Sequence, residues 1–195
     1  MKNFDFIKKL EEEIPAFHQL HAYCDKAEIF QKAFPEESAA NARKALEWLV
    51  KNHLAMANVT LEPHETLSQM IKRPQIDAFI NEDWELEQNM RTVRKIGNYA
   101  AHIGNQQIRR NDAFICLRAL FYVATGFLYR WQAIRKMLAF DATLIPQDFT
   151  QIHASDNSEP TVSPDLTDHV PDEAIEHPER SEERRVGKEC LRLCR

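Results

Sequence analysis

Between residues 113 and 129 the chain is apolar around most of a helix. Phe114, Leu117, Leu120, Phe121, Val123, Ala124, Phe127 and Leu128 lie there, continued by Trp131 and Ile134. A surface helix carries one apolar stripe, whereas a helix apolar on more than one face has to be enclosed. This segment therefore dictates either a bundle with the helix at its centre or an interface with a second copy of the chain. Fully burying each large side chain contributes roughly 1.5–3 kcal/mol, so the stability centre is expected here. A membrane span is the competing reading of so long an apolar run. Arg118 would sit in the middle of that span, where a charge is costly, so a core helix is expected and no membrane.

The remainder reads as helices joined by short breaks. Only 4 glycines and few alternating β-branched runs argue against a sheet protein. Apolar spacing predicts helices over residues 4–14 and 17–30, the second burying Phe17, Leu20, Cys24 and Ala27. Pro35, Glu36 and Glu37 form a good helix opening, with proline in the first turn and acids at the positive end of the dipole. That third helix is expected to reach about residue 54. Pro63 and Pro74 break the stretch 58–82 into two short helices, 65–72 and 75–80. A long helix over 83–101 follows, then a turn at Gly104-Asn105. A last helix, capped by Asn111 or Asp112, should reach about residue 137. The expected fold is an all-α antiparallel helical bundle.

Charge is unevenly placed. Residues 1–150 hold 19 basic and 19 acidic side chains, so the net charge of −5 resides in 151–195. The helical part is thus not a generally basic nucleic-acid binder, and any polyanion site must be local. From about residue 145 Pro, Ser, Asp and Glu take over, a composition too poor in apolar groups to offset the entropy of ordering. The expected organisation is a helical bundle domain over 1–142, a disordered acidic linker over 143–179 and a tail over 180–195. That tail resembles a translated cloning or assembly scar, which would make the chain a truncated copy of a longer protein.

Cys24 and Cys116 fall in apolar helical patterns and read as buried free thiols. Cys190 and Cys194 lack a matching metal-ligand pair. With no apolar leader after Met1, the expected setting is reducing and cytoplasmic. His18, His21, His53 and His64 are dispersed. Only His18 and His21 approach a helical ligand spacing, and no carboxylate partner is evident for them, so neither a metal nor any other cofactor is expected.

The run from Arg91 to His102 carries the functional signal. At roughly 100° per residue, Arg91, Arg94, Asn98 and His102 fall within about 80° of one another. Leu86, Met90, Val93, Ile96, Gly97 and Ala100 crowd the other side. Arg91, Arg94, Lys95, Arg109 and Arg110 become a local nucleic-acid-binding patch if the following turn folds back. The bland alternatives are as concrete. Arg91 can pair with Glu87 at i, i+4, Gly97 can permit close approach of the third or last helix, Asn98 can bond to a helix end or Glu47, and His102 can cap its own helix.

Taken in order, Glu47 within Ala42-Arg43-Lys44-Ala45-Leu46-Glu47, then Arg94, Gly97, Asn98 and His102, resemble a bacterial helical domain of unknown function. That domain stands at the N-terminus of the R (HsdR) subunit of type I restriction enzymes and also occurs alone. The resemblance covers about residues 15–140. It implies a non-catalytic helical interaction module in DNA restriction and defence. Its partners would be restriction-modification subunits, nucleic acid or a second copy of the chain. The helicase and endonuclease that follow in those subunits are not seen, nor is a GxxxxGK phosphate loop.

The same motif is similar to the HEPN superfamily of small helical domains, which includes metal-independent ribonucleases. That resemblance implies an alternative, a HEPN-type ribonuclease or toxin acting as a dimer through Arg94, Asn98 and His102. In such a site imidazole exchanges the proton and guanidinium stabilises phosphate charge. Gly97 stands where active members often carry an arginine, leaving Arg94 as the nearest upstream guanidinium, with seven residues between it and His102.

Overall fold

The computed structural model describes residues 2–101 and 107–146. His102, the Gly104-Asn105 turn, most of the expected acidic linker and the whole terminal tail lie outside the described residues.

The fold is all-α: seven helices pack on one another, and no strand occurs among the described residues. They are α1 (Asp5–Glu13), α2 (Phe17–Phe30), α3 (Pro35–Met56), α4 (Leu67–Ile71), α5 (Pro74–Ile80), α6 (Trp84–Ala101) and α7 (Arg110–Arg130). A short 3-10 turn, Ala142–Leu144, follows.

Four long helices make the bundle, and side-chain contacts fix their directions. Ser38 at the start of α3 donates to the carbonyl of Ala27 near the end of α2 at 2.6 Å, so these two run antiparallel. Gly97, late in α6, lies against Ala39 and Arg43, early in α3. Asp83, just before α6, meets Arg130 at the end of α7 at 2.7 Å. Hence α6 is antiparallel to both α3 and α7, while α3 and α7 run parallel.

As the apolar pattern demanded, α7 is the inner helix. Twelve of its residues are buried, Leu117, Leu120, Val123, Phe127 and Leu128 among them. By length and composition it is apolar enough to cross a membrane, but two thirds of that window is buried inside the protein. Arg118 is exposed, with its guanidinium 5.8 Å from the Tyr122 ring. Phe4 and Phe140 close over Phe121 at centroid distances of 5.6 and 5.5 Å. At its other end Phe127 and Trp131 join His53 and Phe79.

Helix ends depart from expectation for one reason. With few glycines, the chain ends helices on other residues in the left-handed region. Asn58 (φ 56°) ends α3, and Gln132 (φ 60°) ends α7 at Arg130, seven residues before the expected stop. Both ends close with a paired Schellman arrangement. Ala133 N–H donates to the Leu128 carbonyl and Gln132 N–H to that of Tyr129, each at 2.9 Å. At the start of α7 Asp112 is not the cap residue; its carboxylate accepts from the backbone N–H of Arg109 at 3.0 Å. Asp83 caps α6, accepting from Leu86 N–H at 3.0 Å.

Candidate functional site

The corner between α3 and α6 decides the shape of the site. Thr66 caps α4 in a reciprocal box with Gln69. Glu65 then holds Arg73 through two contacts of 2.7 Å, Nε to Oε1 and Nη2 to Oε2. The hydrogen bond from Arg73 and its charge keep the Glu65 carboxyl below its ordinary range. This clamp spans α4 and fixes the entry to α5. The two short helices are thereby set beside α6, leaving an open groove of about 880 Å³.

One wall of that groove is the motif helix, which presents Arg91, Arg94, Lys95, Asn98 and Tyr99. Opposite stand Ser68, Ile71 and Lys72 from α4 and its end, and Pro74, Asp77 and Ile80 from α5. A second groove of about 710 Å³ lies on the far side of Lys95 and Tyr99, walled by Gln107, Ile108, Arg109 and Asp112. Residues 107–109 therefore lie alongside α6. Of the five expected patch residues, Arg91, Arg94 and Lys95 share the first groove, and Lys95 meets Arg109 across the second. Arg110 lines neither; its carbonyl accepts from Gln31 Nε2 at 2.7 Å and faces α2.

The helix turns a different crest outward than the expected stripe. Arg91, Lys95 and Tyr99, spaced four apart, are its exposed row, while Arg94 and Asn98 are half-buried one row inward. Arg91 is paired with Glu87 one turn earlier. Arg94 reaches, among the described residues, only Ser68 Oγ, at 3.4 Å. Among the described residues, Lys72, Arg94, Lys95 and Arg109 have no carboxylate partner within ion-pair distance.

Beneath the crest, Gly97 and Asn98 are committed to α3. A Cβ on Gly97 would lie 2.4 Å from the Arg43 Cβ and 3.0 Å from the Ala39 carbonyl oxygen. Asn98 accepts a hydrogen bond from Arg43 Nε at 2.7 Å. Glu47 does not meet Asn98. It lies 3.9 Å from the same arginine and 2.6 Å from Lys51. Arg43 is thus the residue that joins the two halves of the motif, a role not read from the sequence although it stands inside the quoted helix. His102, the third member of the HEPN-like set, lies outside the described residues, so the described geometry is that of Arg94 and Asn98 alone.

No family model, no curated protein and no solved structure matches the chain significantly.

The remaining histidines separate into different environments. His18 and His21 do have a carboxylate, contrary to expectation: Glu11 of α1 contacts them at 2.6 and 3.0 Å through their Nδ1 atoms. The hydrogen bond from His18 holds the Glu11 carboxyl below its ordinary value. Among the described residues no cluster of three or more His, Cys, Asp or Glu has the geometry to hold a metal ion. His53 is stacked in the aromatic cluster and accepts from Trp131 Nε1 at 3.3 Å, a bond that needs an unprotonated Nδ1. Burial depresses its pKa in the same sense. Cys24 and Cys116 are buried free thiols, as expected; burial pushes Cys116 up to about 12, away from thiolate chemistry.

Proposed function

We propose that this chain is a non-catalytic helical interaction module, of the kind that stands at the N-terminus of type I restriction R subunits, working in the cytoplasm. In this reading the α6 grooves are the face that meets nucleic acid or a partner subunit. The bond between Arg43 and Asn98 is the observation that carries it. A carboxamide whose oxygen is taken by a neighbouring guanidinium, next to a glycine filled by that arginine's own stem, is accounted for by packing. The cations left over are those on the rim of an open groove, where a charged partner can reach them.

One observation favours a second reading. Arg94 and Asn98 line the same open groove, as the HEPN-type ribonuclease alternative requires of two of its three residues. Metal-free incubation of the purified protein with single-stranded RNA separates the two. The expected result is no strand scission above a protein-free control. Scission that disappears in His102→Ala would overturn the non-catalytic reading and establish the nuclease. Co-purification with restriction modification or specificity subunits is expected of a docking module, and its failure with a folded protein would remove that partner class.

A further inference from the structure

We propose that Tyr99 is a base-stacking platform and that the occupant of the two α6 grooves is a single-stranded nucleic acid. The inference rests on the reading of these grooves as an interaction face and names what they take.

Tyr99 is a large side chain left 42% exposed near the end of α6, on the row that begins with Arg91 and Lys95. It lines both grooves, as does Lys95, so the two form the ridge between them. A strand crossing this ridge meets cations on each side: Lys72, Arg91 and Arg94 in the first groove and Arg109 in the second. Acids are present too, at Asp77, Glu87 and Asp112, but Glu87 is occupied by Arg91, and Asp112 bonds the backbone of Arg109. The balance along the path is positive, although basic and acidic side chains cancel over residues 1–150.

The far wall chooses between single and double strands. Ile71 and Pro74, with the edge of the buried Ile80, give the far wall of the first groove apolar surface beside Lys72 and Asp77. A duplex keeps its base faces stacked inside and offers such a wall phosphate, sugar and base edges, but no open base face. An unpaired strand offers both phosphate for the cations and an exposed base face for the aromatic ring. Arg94, half-buried with a single long contact to Ser68, is free to follow a phosphate.

The test is fluorescence anisotropy of the full chain with labelled oligothymidylate, oligouridylate and a duplex of equal length, at several salt concentrations. Binding of both single strands, falling with salt and much weaker for the duplex, is expected. Tyr99→Ala should weaken single-strand binding by about five- to a hundredfold while leaving the duplex unchanged, and Tyr99→Phe should restore it. Circular dichroism confirms that each variant is folded. Tyr99→Ala binding as wild type, with Lys95→Glu losing affinity, would overturn the stacking platform and leave the charged face standing. Duplex bound as tightly as single strand would overturn the choice of ligand. Displacement by polyglutamate as readily as by unlabelled oligothymidylate would make an acidic protein segment the occupant and overturn the proposal. No binding of any oligonucleotide would overturn both the proposal and the nucleic-acid half of the functional reading.

Discussion

Helices α6 and α7 lie side by side and antiparallel, yet the bundle asks different things of them. Packing constrains α7 on nearly every side. Its neighbours are α3 and α6, the Phe4 ring at the chain's start and the Phe140 ring near its described end. Packing constrains α6 on one side only. Leu86, Met90 and Val93 are buried, while Arg91, Lys95 and Tyr99 face outward. A residue inside α7 answers to the chain's own core. On the α6 crest Arg91 pairs with Glu87 of the same helix, while Lys95 has no ion-pair partner among the described residues, so the core does not account for this row. The difference separates the residues that the chain's own core accounts for from those that it does not.

The harshest way to break the comparison is in α7. Phe127 is fully buried, 4.7 Å from the Phe79 ring and 5.6 Å from that of Trp131 by centroid. Phe127→Ala should destabilise the protein by about 3–5 kcal/mol, measured by urea denaturation followed by circular dichroism. A loss under about 1 kcal/mol would mean that α7 is not the packed centre.

A smaller effect is expected where α6 touches α3. Alanine at position 97 gains roughly 1 kcal/mol of helix propensity. Its Cβ would nevertheless be forced to 2.4 Å from the root of the Arg43 side chain, which has no flexible end there to give way. Gly97→Ala should therefore destabilise by about 1–3 kcal/mol. Tyr99→Ala, two residues on but on the crest, should stay within about 0.5 kcal/mol of wild type. Equal stability losses from the two would erase the distinction between the faces of α6.

The same division explains what could be read in advance. The helices were legible because period, prolines and caps are local: the Pro35 opening and the Pro74 break lie where the apolar spacing changes. The grooves were not, because their far walls come from α4 and α5, whose position depends on the Glu65–Arg73 clamp rather than on local pattern. Arg43 was missed because a guanidinium in mid-helix reads as solvated until its partner on another helix is known. Tyr99 carries a visible signal, its four-residue spacing from Lys95 and Arg91, on the row beside the one that holds Arg94 and Asn98. Glu28 carried a signal as well. It continues the row Leu20, Cys24 at the same spacing, and that row is buried.

Glu28 is also where the self-explaining interior has an exception, and pH is the gentler probe of it. Its Oε1 accepts from the backbone N–H and the side-chain amide of Asn3 at 3.0 and 2.7 Å, while Oε2 finds no partner among the described residues. Burial raises the carboxyl above its ordinary value of 4.5. The folded state therefore holds the proton at pH values where the unfolded chain has released it. The stabilisation linked to this group is complete below the unfolded value and is lost as pH rises through the folded one. Glu11, Glu65, Asp83 and Asp141 shift the other way and favour the fold at higher pH, so the wild-type curve alone mixes both slopes. Glu28→Gln keeps an acceptor for Asn3 and has no proton to lose. The stability of this variant relative to wild type should rise as pH increases from 4.5 toward 7, read from urea midpoints at each pH. A difference that stays flat would mean the carboxylate is solvated in the folded protein.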